Sequence, residues 1–172
     1  PHLLGLGLRD PYVEQGLSKV KMMVSHGSSN SMTGKLIQHL YEQHMLEVGL
    51  FQCLFSLTHS KHAFLTKSSW VTELWEFVDT YKIVLRCSES RNLAPQRSGD
   101  RSLVDIWCNA LALPSAIIKV LNRVRCFLQV LSLADIATGD GKGIRQHILD
   151  GVPGQEKSLW TWHRQNPCVK DF

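Results

Sequence analysis

Lys119, Arg123 and Arg125, with Lys142 and Arg145 after them, are the residues whose types and spacing best suit a chemical task. The arginine fork matches phosphate oxygens two at a time and lysine adds a point charge. With hydrogen bonds from Asn122 and Gln129, a helix carrying them can track a nucleic-acid backbone. The competing structural reading pairs Arg123 and Arg125 with acids of a neighbouring helix. Charge placement is compatible with phosphate contacts and reads equally as a solvated helix face. The chain carries a formal charge of +4, and the surplus concentrates in residues 114–149, which hold five basic and two acidic side chains.

Other chemistries fit less well. Thr138-Gly139-Asp140-Gly141-Lys142-Gly143 invites comparison with a phosphate-binding loop, but Ile136 stands where that loop needs its first glycine, and Gly143 follows the lysine in place of Ser or Thr. The turn's amides offer at most a nest for a single phosphate. Among the histidines, His39 and His44 are five apart, so they are offset on a helix, and His59, His62, His163 and Cys168 meet no established ligand spacing. Asp105, Asp135 and Asp140 can be imagined as a two-metal carboxylate set, but Asp105 falls on a different element from the others. There is no G-x-S-x-G elbow. The expectation is a protein without catalytic residues, metal or cofactor.

These groups need elements to position them. Asp10 and Pro11 suit the start of a helix in which Val13, Leu17, Val20, Met23 and Val24 recur at helical spacing, ending at Gly27. A second helix is predicted from Met32 to Val48, with Leu36, Ile37, Leu40, Met45 and Val48 inward, stopping at Gly49. Residues 50–65 read as irregular with some strand. Ser68 or Ser69 caps a third helix through Trp70, Leu74 and Tyr81, followed by a short alternating strand over Lys82 to Arg86 and a loop over Ser88 to Gly99. Asp100 is expected to cap a helix carrying Leu103, Val104, Ile106, Trp107, Ala110 and Leu111. Pro114-Ser115 then opens the most regular helix, with positions 117, 120, 121, 124, 127, 128 and 131 inward and Lys119, Asn122, Arg123, Cys126 and Gln129 outward.

The fold expected is mainly α, a compact bundle of about five helices with short irregular or strand segments and an extended C-terminal tail. Residues 1–150 would form a single helical domain, and 151–172 an aromatic tail or the start of a linker. At 172 residues, 44% hydrophobic and 20% charged, the chain can bury a core without staples. Five widely spaced cysteines, with no C-x-x-C pair, favour a reducing compartment. No signal-like segment stands near the start, and the longest uncharged apolar run, Ile106 to Ile118, is too short to span a bilayer. An intracellular setting without membrane contact follows, and Pro1 at the start reads as the beginning of a piece of something longer.

The order of short motifs resembles the region that follows the polymerase domain in reverse-transcriptase polyproteins of non-LTR-type retrotransposons of protists, algae and oomycetes. The motifs are Gly5-Leu6-Gly7-Leu8 through Tyr12, Glu14-Gln15-Gly16, His26, Thr33-Gly34, Leu46-Glu47-Val48-Gly49, Ser69-Trp70 and Leu74-Trp75-Glu76-Phe77. Pro95-Gln96-Arg97, Asp100 to Asp105, Leu121-Asn122-Arg123-Val124-Arg125, Leu133-Ala134-Asp135-Ile136, Leu149-Asp150-Gly151 and Trp162 to Pro167 continue the order to the tail. The resemblance implies a non-catalytic helical appendage that contacts template RNA or target DNA, or braces the polymerase, with the rest of the polyprotein as partner. The polymerase's paired aspartates are absent from this stretch. The alternative is a protein-interaction or structural module docking through Trp70, Trp75, Trp107, Trp160 and Trp162.

Overall fold

A computed structural model describes residues 10–86 and 93–153. The Gly5–Leu8 motif, most of the expected tail with Trp160 and Trp162, His163, Cys168 and part of the 88–99 loop lie outside them. The described chain is mainly α-helical, and no strand occurs among the described residues. The described residues fall into two compact units, 10–44 with 54–86 and 45–53 with 93–153.

In the first unit, α1 (Pro11–His26) starts as expected. Asp10 accepts the Tyr12 amide at 2.9 Å, and the helix closes where the Gly27 amide donates to Met23 O. Helix α2 (Met32–Val48) has the predicted bounds. The inward faces are less faithfully predicted: Met23, Ile37, Met45 and Val48 are buried, but Leu17, Val24 and Leu36 are exposed. Gly16, which weakens α1 on propensity, lies against α4 (Trp70–Thr80), where a Cβ would stand 2.2 Å from the Phe77 ring. The Lys19 ammonium and Glu73 carboxylate pair beside it.

Residues 50–65 contain helical turns in place of the expected strand. A one-turn α3 (His59–His62) stands between two 3-10 turns, Leu54–Ser56 and Ala63–Leu65. Their backbone is tied to side chains: the Trp75 indole N–H donates to Leu57 O at 2.8 Å, the Leu54 amide to the Tyr41 hydroxyl, and the His59 amide to Asp79. Ser69 caps α4 as predicted, in a reciprocal box with Thr72. Its hydroxyl also meets His44 Nε2 at 2.8 Å, while His44 Nδ1 faces Leu40 O at 2.6 Å. A carbonyl only accepts, so Nδ1 carries a hydrogen there. His44 is thus a satisfied core residue. The expected strand over Lys82 to Arg86 is absent as well. Lys82 takes a left-handed φ of 53°, and the Ile83 amide donates back to Val78 O, which closes α4.

The second unit begins with the last turn of α2 and contains α5 (Leu103–Asp105), a π-helical turn over Ile106–Ala110, α6 (Ser115–Leu128), α7 (Leu133–Ile136) and α8 (Gln146–Leu149). Leu103, Leu128 and Val130 form one buried cluster with Trp107, Ile136 and Ile148 packed on it, and Leu46 with Cys126 forms another. An isolated antiparallel bridge joins Ser102 to Ser132. Asp100 does not cap the helix after it. Ser102 does, accepting the Asp105 amide at 3.0 Å, and Asp100 instead accepts the Ala134 amide in the first turn of α7. Asp135 accepts the Leu131 and Ser132 amides and the Gln96 side-chain amide. Burial pushes the Asp100 carboxyl up, but hydrogen bonding, with the Ala134 and Gln96 amides as donors, outweighs it and leaves it below the ordinary carboxylate range.

Candidate functional site

Helix α6 was expected to present its arginines to phosphate, and it separates them instead. Arg123 and Lys119 lie one turn apart on the exposed side, and neither makes an ion pair or side-chain hydrogen bond among the described residues. Arg125 is buried, 1% exposed. Its Nε donates to Asn122 Oδ1 at 2.8 Å, Nη2 to the backbone carbonyls of Leu46 and Glu47, and Nη1 to Val130 O at 3.4 Å. Asn122, also buried, donates to Glu47 O at 2.8 Å. The last carbonyls of a helix lack intrahelical donors, and here a guanidinium and an amide from α6 supply them. Arg125 is therefore withdrawn from the nucleic-acid contacts, since its fork is surrounded by carbonyl oxygens away from solvent. Burial pushes its pKa down from the ordinary value.

Gly49 completes this lock. It has a φ of +68°, and a Cβ there would lie 2.6 Å from the guanidinium carbon of Arg125. Gly49→Ala is expected to cost about 2–4 kcal/mol, from left-handed strain plus displacement of a packed group. Urea denaturation checks this, and a loss no larger than the roughly 1–2 kcal/mol of left-handed strain alone would show that the guanidinium moves aside freely.

The glycine turn is closed to phosphate by its own side chains. Asp140 accepts from the Thr138 hydroxyl at 2.5 Å and from the Lys142 amide at 3.2 Å, and the Gly143 amide donates to Thr138 Oγ1 at 3.0 Å. The Asp140 carboxylate occupies the position an anion would take, so its pKa lies below the ordinary range, first through the Thr138 hydrogen bond and then the Lys142 amide. Lys142 itself is exposed. Arg145 donates through Nε to Ala137 O at 2.9 Å and through Nη2 to Ala134 O at 3.3 Å, serving carbonyls at the end of α7. Of the five cations expected to bind nucleic acid, Lys119, Arg123, Lys142 and Arg145 are exposed, Arg145 with part of its guanidinium spent on carbonyls, and Arg125 alone is buried.

Sequence reasoning also placed the wrong face of α6 inward. Ile118, Asn122, Arg125, Cys126 and Leu128 are buried, whereas Ile117 is 48% exposed, Val120 55%, Val124 37% and Phe127 37%. The 3-4-3 spacing of these four apolar residues is what placed them inward; in the fold they form a narrow stripe beside the buried face. The tryptophan reading changes too: Trp75 is fully buried, Trp70 and Trp107 are half-buried, and Trp160 and Trp162 fall outside the described residues.

In the first unit a cleft of about 220 Å³ lies between His59, Thr66, Lys67, Thr72, Glu73 and Glu76. Thr72 is engaged in the Ser69 cap and Glu73 with Lys19. Among the described residues no group of three or more His, Cys, Asp or Glu side chains could hold a metal ion, and no helix is long and apolar enough to cross a membrane. No family model matches the chain, and neither a curated protein nor a solved structure does.

Proposed function

We propose that the chain is a non-catalytic helical segment of a retroelement reverse-transcriptase polyprotein, standing after the polymerase, and that it works inside the cell by docking on a protein surface that braces that polymerase. One observation carries the docking reading: α6 turns an apolar stripe to solvent and buries the arginine that was to meet phosphate. The retroelement reading rests on the order of its motifs in the sequence, and several of those motifs touch in the fold. Leu46 to Gly49 and Leu121 to Arg125 meet through the Arg125 guanidinium. Gln96 and Asp100 to Asp105 meet Leu133 to Ile136 through Asp135, Asp100 and the Ser102–Ser132 bridge. Gly16 meets Phe77. Short motifs that resemble a family in order are here the residues that fix the fold.

A second reading, contact with template RNA or target DNA through Lys119, Arg123 and Lys142, is favoured by the exposure of these three cations. One set of titrations separates the two. The chain is mixed with the polymerase domain of a non-LTR-type reverse transcriptase, with single-stranded RNA and with duplex DNA, each at low and high salt. Docking through apolar surface predicts a polymerase complex that persists in salt and is lost in Val120→Asp/Val124→Asp. Three phosphate contacts predict a nucleic-acid affinity falling by roughly 20–40-fold between 50 and 200 mM salt, with Lys119→Ala/Arg123→Ala weakening it further. The second pattern without a polymerase complex would overturn the proposal.

A further inference from the structure

We infer that the outer face of α6 is one half of a two-heptad helical seam whose other half is an amphipathic helix edged with carboxylates, supplied by another protein. The inference rests on the docking reading and specifies what docks. Ile117, Val120, Val124 and Phe127 fall at positions a, d, a and d of successive heptads, the spacing with which one helix presents knobs to another. All four are exposed. The helix is 14 residues long, about 21 Å, which is two full heptads of seam. β-Branched Ile117 and Val124 occupy the a positions.

The charge around the stripe selects the occupant. Arg123 falls at a g position, the flank whose charge sets partner choice in paired helices, and Lys119 extends the same basic edge one turn earlier. Ser115–Leu128 contains no acidic residue. A second copy of α6 therefore offers Arg123 no counter-charge in either orientation and brings cations toward cations. A helix with Glu or Asp beside its apolar seam gives Arg123 and Lys119 partners at the rim while covering all four apolar side chains. Rim charges of this kind discriminate between partners more than they add affinity.

The test uses the whole chain and three-heptad amphipathic peptides with Leu at a and d and either Glu or Lys at e and g. By fluorescence anisotropy the Glu-edged peptide should bind at least about tenfold more tightly than the Lys-edged one. Arg123→Glu should narrow or reverse that preference. Val120→Asp/Val124→Asp, both at exposed positions, should abolish binding while leaving the far-ultraviolet circular dichroism unchanged. Equal binding of both peptides, or none of the Glu-edged peptide, overturns the inference. So does sedimentation of the chain as a dimer that Val120→Asp/Val124→Asp dissolves, or RNA binding lost in that variant. Binding of the Glu-edged peptide with no polymerase complex removes the polymerase as partner and leaves the inference standing. A polymerase complex without peptide binding does the opposite.

Discussion

Arg125→Ala should lower stability by about 3–5 kcal/mol, enough to unfold a marginal domain, although sequence alone reads this residue as a surface cation. The guanidinium is buried and donates to Leu46 O, Glu47 O, Val130 O and Asn122 Oδ1. Truncation leaves carbonyls at the end of α2 without those donors, each worth about 1–3 kcal/mol when left unmet, and opens a void that the packing around Gly49 fills only in part. Arg125→Lys keeps the charge but not the fork. One ammonium cannot reach carbonyls on both sides, so about half the loss should remain. Urea unfolding gives the energies, and hydrogen exchange over residues 45–53 and 115–128 should show the loss concentrated there. Gly49→Ala ought to cost less in the Arg125→Ala background than in the parent chain, because the group its Cβ strikes is gone; strictly additive losses would mean the two do not act through one contact.

The same residue shows how far the sequence was legible. Local signals were sufficient where the partner is a near neighbour in the chain: Asp10 and Gly27 bound α1, Gly49 ends α2, and Ser69 caps α4 as read. They failed where the partner is remote. Asn122 and Arg125 bond to carbonyls 75 and 79 positions away, so two polar residues belong to the buried face of α6 and displace Ile117, Val120, Val124 and Phe127 outward. A helix with apolar residues on two faces does not announce which one is covered. Residues 50–65 failed for a related reason, since Trp75, Tyr41 and Asp79 supply bonding partners that permit tight helical turns where an apolar run alone suggests a strand. Gly16 reads as a flaw in α1 until Phe77 is seen against it. Of the candidate site, the charge excess in 114–149 was visible, but whether each cation faces phosphate or carbonyl depended on contacts made by the fold.

Trp75→Ala should cost the first unit about 3–5 kcal/mol, and its effect should reach the 54–65 segment before α1 or α2. Trp75 is 0% exposed, and its indole N–H is the donor to Leu57 O. Its ring also meets His59 edge-on with centroids 5.0 Å apart, so one side chain holds both the 3-10 turn before α3 and the start of α3 itself. Trp75→Phe separates the two contributions. It keeps most of the apolar volume and loses the donor, so a cost of about 1–3 kcal/mol measures the stranded Leu57 carbonyl and the residual void. Near-ultraviolet circular dichroism and hydrogen exchange at Leu54 to Leu65 are the readouts. If Trp75→Phe were neutral, the short turns of this segment would have to be held by the Tyr41 hydroxyl and the Asp79 carboxylate alone, and Asp79→Ala would then become the more damaging change.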